Sequence, residues 1–128
     1  MTTSEHIALE PLRQPKEVCC VPLISRLADD AALALADIFK ALADPARLQI
    51  LDILRQHQGQ VCVCDLEGVV GLPNPTTGQR PRQATISHHL KVLRDAGLIG
   101  SEKHNQWVYY FIRPECLATV RVALDHLG

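Results

Sequence analysis

The sequence predicts a mainly α-helical fold with one small β-hairpin, arranged as a homodimeric winged helix-turn-helix. Apolar residues recur at helical spacing in several separate runs. One stretch near the C-terminus instead alternates apolar and polar residues, which is typical of a hairpin. With 128 residues, of which 47% are hydrophobic, the chain can form one domain with a small core that gains from dimerisation.

The N-terminal part of the chain differs from the remainder. Residues 1–28 are polar, contain three prolines and have no sustained periodicity, which predicts an arm. Residues 29–128 are expected to form the winged helix-turn-helix domain. The arm carries an adjacent cysteine pair, Cys19 and Cys20. It can therefore bring two thiols to a site elsewhere in the protein.

Two helices are expected at the start of the domain. Asp29 or Asp30 can cap a first helix that runs to about Ala43. Its apolar residues are Leu35, Ile38, Phe39 and Leu42. Asp44 then precedes Pro45, the order expected of a cap and the first position of a second helix. The buried face of this helix is expected to contain Leu48, Leu51, Ile53 and Leu54.

A short extended piece and a short helix follow. Residues 61–64 are rich in β-branched side chains and predict an extended conformation. Asp65 is expected to cap a helix that ends near Val70. Residues 71–82 contain three prolines and predict a loop, longer than the three- or four-residue turn usual in a helix-turn-helix.

The remaining elements complete the winged helix. Helical period returns from Ala84 to Ala96, where Ile86, Leu90 and Leu93 are expected to point inward. Residues 98–103 and 106–113 predict the hairpin, with His104 and Asn105 at the turn. A last helix from Pro114 carries an apolar stripe of Leu117, Val120, Leu124 and Leu127.

The charge distribution favours specific binding to double-stranded DNA. The net charge is −1, but residues 79–106 hold five basic and two acidic side chains, a local balance of +3 that leaves −4 elsewhere. A recognition helix needs short polar residues and cations on its outer face. The candidates for contact with operator DNA are Arg80, Arg82, Gln83, Thr85, Ser87, His88, Lys91, Arg94 and Lys103.

The cysteines predict free thiols or metal ligands. No apolar run approaches the length of about 20 residues that spans a bilayer, and residues 1–10 lack the features of a secretory signal. We therefore expect a cytoplasmic protein that does not bind membranes. Five cysteines cannot all pair in disulfides, and a reducing compartment disfavours such bonds. If residues 61–64 are extended, Cys62 and Cys64 point to the same side and can share a soft ion.

Four separated motifs strongly resemble the ArsR/SmtB family of metal-sensing repressors, and the resemblance extends from about Ala31 to the C-terminus. They occur in the family's order, and they are Ala41–Leu48 (ALADPARL), Cys62–Leu66 (CVCDL), Ala84–Leu93 (ATISHHLKVL) and Ala96–Ile99 (AGLI). The resemblance implies a repressor without enzymatic activity that binds operator DNA in the absence of metal and dissociates when metal binds. It also implies a homodimer formed through the first and last helices.

The resemblance also implies an inducer site on thiolates. Cys62 and Cys64 look like the inducer ligands of the family, and Glu67 stands where some members have a third cysteine. The pair Cys19 and Cys20 is similar to the arm pair of arsenic sensors. We therefore favour arsenite, As(III), with antimonite as a related inducer, each of which takes three thiolates. Cadmium or lead, which could use all four, or zinc, is the alternative.

Several other interpretations of the cysteine and histidine residues remain open. Cys116 is expected to be a packing residue, and His126 does not complete a site on the last helix, so we expect the zinc and cobalt site of some relatives to be absent. A reversible thiol switch would also use nearby cysteines, and a metal buffer would have no need of the helix and wing. A thioredoxin-like enzyme is disfavoured because Cys-x-Cys is not its Cys-x-x-Cys spacing. Trp107, the only tryptophan, is expected in the wing.

Overall fold

The computed structural model describes residues 22–127, which form five helices and one two-stranded antiparallel sheet. The elements are α1 (Asp29–Leu42), α2 (Pro45–Gln56), α3 (Val63–Leu66), α4 (Gln83–Asp95), β1 (Ile99–His104), β2 (Trp107–Ile112) and α5 (Pro114–Leu127). The predicted order of helices and hairpin is confirmed. Within the described residues, no helix is both long and apolar enough to cross a membrane. Cys19 and Cys20 lie outside the described range.

The starts of α1 and α2 differ in how they are capped. Ala28 is the N-cap of α1 and offers no side-chain cap, so the prediction that Asp29 or Asp30 caps this helix is wrong. Both carboxylates lie in its first turn, where their negative charges interact favourably with the positive end of the helix dipole. At α2 the predicted cap is confirmed, because Asp44 Oδ1 accepts from the N–H of Ala46 at 2.8 Å and of Arg47 at 3.3 Å.

The core lies where α2, α3, α4 and β1 meet. Its fully buried side chains are Ile50, Leu54, Leu66, Val70, Ile86, Leu90, Leu93, Leu98 and Ile99. Leu48 was expected in this core, but 53% of it is exposed. Ala46, Ile50 and Leu54 form the buried stripe of α2 at steps of four residues, and Leu48 lies about 200° around the axis from Ile50.

The wing is a regular hairpin that follows α4. Gly97, with φ +81°, ends α4, and the Leu98 N–H returns to the Leu93 carbonyl. In the hairpin His104 pairs with Trp107, so the turn is Asn105 and Gln106 and lies one residue later than predicted. Asn105 takes φ 60°, a conformation that asparagine tolerates better than most residues.

The long loop between α3 and α4 is closed at its base by Gly71. The Gln49 side chain accepts from the Gly71 N–H at 2.7 Å, and Arg80 donates to the Gly71 carbonyl at 2.6 Å. Gly71 has φ +85°, and a Cβ there would collide with the ring of Pro81. Because both ends of the loop are held together, its extra length does not separate α3 from α4, which pack on each other.

Candidate metal site and nucleic-acid interface

The segment with two cysteines is the start of a helix. Cys62 is the N-cap of α3, with φ −108° and ψ 171°, and α3 begins at Val63. The predictions that residues 61–64 are all extended and that Asp65 is the cap are therefore wrong, as is a helix that reaches Val70. Asp65 instead occupies the third helical position, and its Oδ2 accepts from the Cys62 N–H at 3.0 Å, which is half of a capping box.

This turn brings the two thiols together. The Sγ atoms of Cys62 and Cys64 lie 2.8 Å apart, and Cys62 Sγ lies 3.4 Å from Asp65 Oδ2. Cys62 is buried and Cys64 is exposed. The hydrogen bond with Cys64, burial and the hydrogen bond with Asp65 raise the pKa of the Cys62 thiol. Two sulfur ligands of one tetrahedral zinc-sized ion lie about 3.7 Å apart, so the pair can share a soft ion after the two Sγ atoms separate by about 1 Å.

Asp65 is the member of this cluster that sequence reasoning assigned only to helix capping. One ligand atom from each of Cys62, Cys64 and Asp65 lies within 4.8 Å of the other two. The available signal was the three-residue step from Cys62, which places the third helical residue beside the cap. The structure therefore brings together two sulfurs and one carboxylate oxygen. Because Cys19 and Cys20 lie outside the described residues, their part in the site stays a prediction.

Cys116 has a different environment. It is half-buried and packs against the core, and its Sγ lies 3.8 Å from the Ala96 carbonyl oxygen. Burial, followed by the charge of Glu115, raises the pKa of this thiol. These contacts are those of a packing residue, as the sequence indicated.

The start of α3 is connected to both elements that are predicted to contact DNA, α4 and the wing. Val61, the residue before Cys62, forms a bridge with β2, in which its carbonyl oxygen accepts from the Tyr110 N–H at 2.8 Å. On the other side, α3 packs on α4, with Leu66 fully buried. The start of α3 is therefore joined to the wing by a backbone hydrogen bond and to α4 by apolar packing.

The residues predicted to contact DNA on α4 are all exposed. Ser87, His88 and Lys91 lie within about 100° of one another around the helix axis, which makes them one outer face. Thr85 lies about 160° from Ser87 but only about 60° from His88, so it forms the opposite edge of the exposed face. Lys91 donates to Asp95 at 2.8 Å, and this hydrogen bond lowers the pKa of Asp95. Gln83 and Arg94, at the two ends of α4, are also exposed.

The remaining predicted DNA contacts flank this helix. Arg82 is the N-cap of α4 and is exposed, and Lys103 is exposed on β1 of the wing. Arg80 is exposed as a whole, but one end of its guanidinium group is bound to Gly71. The structure thus places the nine candidates on the loop, α4 and the wing.

A polar cluster that sequence reasoning missed lies behind α4. Arg47 Nε donates to His89 Nδ1 at 3.1 Å, and Arg47 Nη1 donates to the carbonyls of Lys40 at 3.2 Å and Ala41 at 3.3 Å. His89 Nε2 lies 3.9 Å from Asp44 Oδ1. Burial lowers the pKa of His89, against the opposing charge of Asp44. The signal available in the sequence was a histidine on the inner side of an amphipathic helix.

Comparison with known proteins points to one group of regulators. Residues 82–101 match the family described as bacterial regulatory protein, arsR family. An uncharacterised HTH-type transcriptional regulator of Methanocaldococcus jannaschii, MJ1325, is 36% identical over 92 residues, which cover 72% of this chain and 92% of that protein. The arsenical resistance operon repressor of Escherichia coli is 36% identical over 69% of this chain and 67% of its own length.

Two further similarities concern ligand and assembly. The cadmium resistance regulatory protein CadC of Listeria innocua is 35% identical over 70% of this chain and 66% of its own length. A solution NMR structure of a homodimeric winged helix-turn-helix DNA-binding domain from Mycobacterium bovis, a possible ArsR-family regulator, superposes with a TM-score of 0.53 and 32% identity. That superposition covers 81% of this chain and 94% of the other. The relatives therefore include regulators named for arsenic and for cadmium.

Proposed function

Because this chain belongs to the arsR family of bacterial DNA-binding transcriptional regulators, we propose that it is a metal-responsive repressor whose inducer binds Cys62 and Cys64. Its family consists of regulators, so the protein is not an enzyme. The observation that carries the proposal is the 2.8 Å separation of the two Sγ atoms at the start of α3. A regulator of operator DNA works in the cytoplasm, where we place this protein.

Trivalent arsenic is the inducer that we favour, with antimonite as its analogue. As(III) takes three thiolates, so Cys62 and Cys64 need one further sulfur, which we assign to Cys19 or Cys20 on the arm formed by residues 1–28. The relatives named for arsenic resistance support this choice. Cadmium or lead is the alternative inducer, supported by the similarity to CadC, and zinc is a further one. An ion that accepts oxygen as well as sulfur would also suit Asp65, whereas arsenite favours the thiols.

Release of DNA follows from the two connections of the site. When Cys62 and Cys64 bind an ion, the Cys62 thiol no longer donates to Asp65, and the N-terminal turn of α3 changes its hydrogen bonds. This change is transmitted to the wing through the hydrogen bond between Val61 and Tyr110, and to α4 through the packing of Leu66. Turning a 99:1 population of the DNA-binding form into 1:99 needs about 5.5 kcal/mol of differential affinity.

The DNA interface that we propose is centred on α4. Ser87 and Gln83 read base edges, whereas Lys91, Arg94 and Arg82 contact phosphates, with His88 between the two roles. Lys103 contacts the backbone from the wing. Arg80 has fewer free donors for phosphate than Arg82, because one of its guanidinium nitrogens is bound to Gly71. Thr85 contributes least in this arrangement, because it lies about 160° around α4 from Ser87, at the opposite edge of the exposed face.

We also propose that the protein is a homodimer formed through α1 and α5. Apolar residues on these helices are exposed in the single chain, with 65% of Leu33, 58% of Val122 and 51% of Leu124 accessible. A cavity of about 680 Å³ lies between α1 and α5, and its lining is mostly apolar. A second copy of the chain would cover this surface and place two α4 helices on two half-sites.

The inducer can be identified by DNA release. A fluorescein-labelled duplex is first selected by the wild-type protein from a random-sequence pool, and this selected duplex is then titrated in complex with arsenite, antimonite, cadmium, lead or zinc. The anisotropy is expected to fall with arsenite and antimonite, and Cys19→Ser, Cys20→Ser double variants should require more of either ion. Release by cadmium or lead alone would favour the alternative inducer. Release by peroxide without metal would favour a thiol switch, and ion binding without release would favour a buffer.

A further inference from the structure

The polar cluster behind α4 contains none of the residues assigned above to metal binding or to DNA contact. We propose that Arg47 and His89 form a latch, defined as these two side chains and the hydrogen bond between them, that positions α4 for sequence-specific reading of DNA. They would act as positioning residues, since neither is assigned a contact with DNA. The proposal rests on the DNA-binding part of the function above and not on its metal dependence.

Arg47 connects three helices. Its Nη1 donates to the carbonyls of Lys40 and Ala41 at the C-terminal end of α1, and the Lys40 carbonyl also accepts from the Ala43 N–H at 3.3 Å. Its Nε donates at 3.1 Å to the ring of His89 on α4. Arg47 itself belongs to α2, so one side chain bonds to the end of α1 and to the recognition helix.

His89 is held on the inner side of α4. Its side chain is 12% exposed, whereas the neighbouring His88 lies on the outer face. Because Nδ1 accepts from Arg47, it carries no proton, and Nε2 carries the ring proton on the side of Asp44, 3.9 Å away. Only the neutral ring can make this hydrogen bond, since a protonated Nδ1 would place a donor against a donor.

Beside His89 the inner side of α4 borders a pocket that opens to solvent. This pocket has a volume of about 210 Å³ and is lined also by Pro45, Gly71 and Pro81. The fully buried residues of α4 are Ile86, Leu90 and Leu93, and Leu93 lies about 40° around the axis from His89. The bond to Arg47 therefore adds a directional contact at the edge of the apolar core, beside the pocket.

A shift of α4 should affect base reading more than phosphate contact. Hydrogen bonds to base edges require a fixed position of Gln83 and Ser87, whereas flexible cations such as Lys91 can follow the phosphates. Loss of the latch should thus lower the ratio of affinity for the selected duplex to affinity for a scrambled duplex. General unfolding would lower both affinities together.

The test compares this ratio for the wild type, His89→Leu, His89→Asn and Arg47→Lys, without metal. His89→Leu removes the acceptor and should lower the ratio roughly tenfold, the effect of one lost hydrogen bond to a charged group. Asn keeps an acceptor close to the position of Nδ1, so His89→Asn should stay within about twofold of the wild type. Arg47→Lys keeps the charge without the Nε donor and should resemble His89→Leu.

Measuring the affinity ratio as a function of pH adds a second test, because a residue that only fills space would not make the ratio depend on pH. Burial lowers the pKa of His89, with Asp44 opposing and Arg47 and His88 reinforcing that direction. The ratio for the wild type should fall as acid protonates His89, while the ratio for His89→Asn should not. Both proteins contain His88, so any contribution of that residue is common to the two profiles.

Three results would overturn the latch. They are an unchanged ratio in both His89→Leu and Arg47→Lys, an equal loss in His89→Asn and His89→Leu, and the same pH profile for the wild type and His89→Asn. If His89→Leu does not fold, Arg47→Lys and the pH profile still decide. If the wild-type protein enriches no sequence from the random pool, both sequence-specific DNA recognition and the latch are contradicted. If DNA binding does not respond to metal, the latch is unaffected.

Discussion

The carbonyl oxygen of Val61 accepts a hydrogen bond from the N–H of Tyr110 at 2.8 Å. This bond joins the residue before Cys62 to β2, three residues from Trp107 near the tip of the wing. A change at the thiol cluster can therefore reach the wing without passing through α4. We propose that the metal site acts on both the wing and α4, and each connection can be tested separately.

The wing connection predicts a fluorescence signal. Trp107 is the only tryptophan and is 48% exposed, so its emission reports the surroundings of the wing. Addition of arsenite to the wild type should change that emission, and Cys62→Ser should abolish the change. Cys116→Ser, which alters a thiol in a separate environment, is the matched control and should respond as the wild type does. An equal change in Cys62→Ser would contradict coupling from this site to the wing.

Asp65 accepts the capping hydrogen bond of Cys62 as the third residue of α3, and its carboxylate is also a candidate oxygen ligand. Asp65→Ala should lower the free energy of unfolding by about 1 kcal/mol, because the Cys62 N–H loses its acceptor. Asp65→Asn keeps an acceptor and should unfold closer to the wild type in urea. If an ion uses the carboxylate, Asp65→Asn should weaken cadmium binding more than arsenite binding. Equal effects on the two ions would remove Asp65 from the ligand set.

The outer face of α4 predicts different results for three substitutions. Ser87→Ala should lower the preference for the selected duplex, because a base contact is lost. Lys91→Ala should weaken binding to all duplexes and reduce the slope of log affinity against log salt by about 1. Thr85→Ala, on another side of the helix, serves as the control and should change little. A Thr85→Ala effect as large as that of Ser87→Ala would mean that α4 docks on DNA with a different face.

Closure of the loop at Gly71 predicts a loss of stability on substitution. Gly71→Ala should lower the free energy of unfolding by about 1–2 kcal/mol, because the backbone at this position is left-handed. The added Cβ would also collide with Pro81. Gly78→Ala is the control, since Gly78 also has a positive φ, +75°, but a Cβ there would meet nothing within 4 Å. Urea unfolding should therefore show a larger loss for Gly71→Ala. Equal losses would mean that the loop adjusts at its base.

The lowered pKa of His89 also predicts how stability depends on pH. The folded protein binds a proton here less readily than the unfolded chain, so the free energy of unfolding should decrease as pH falls below about 6.5. In His89→Asn this part of the acid sensitivity should be missing. The difference between the two unfolding curves, followed by circular dichroism from pH 7.5 to 5, measures it. Parallel curves would show that His89 titrates alike in both states.

Most of the fold could be predicted because it depends on local patterns. The spacing of Ile86, Leu90 and Leu93 identified the buried side of α4, and Asp44 before Pro45 marked the start of α2. The start of α3 was harder, because β-branched Val63 favours a strand in isolation. Burial of Leu66 and the capping hydrogen bond between Asp65 and Cys62 favour a helix there instead.

The candidate site was predictable in composition but not in geometry. Cys62 and Cys64 were identified from their spacing. In the expected extended strand, residues two apart would point to the same side, whereas in the structure the first turn of α3 brings the two thiols together. The contacts of Arg47 with His89 and of Val61 with Tyr110 join residues more than 40 positions apart. Such contacts depend on tertiary packing, which periodicity along the chain does not describe.

The central claim is that the thiols at the start of α3 release DNA when they bind the inducer. The most direct measurement is the anisotropy of the selected duplex during titration with arsenite, for the wild type, Cys62→Ser, Cys64→Ser and Cys116→Ser. The account predicts that the wild type and Cys116→Ser release the duplex, while Cys62→Ser and Cys64→Ser bind it normally and retain it. If the Cys62→Ser and Cys64→Ser proteins still release DNA at the wild-type arsenite concentration, the account is wrong.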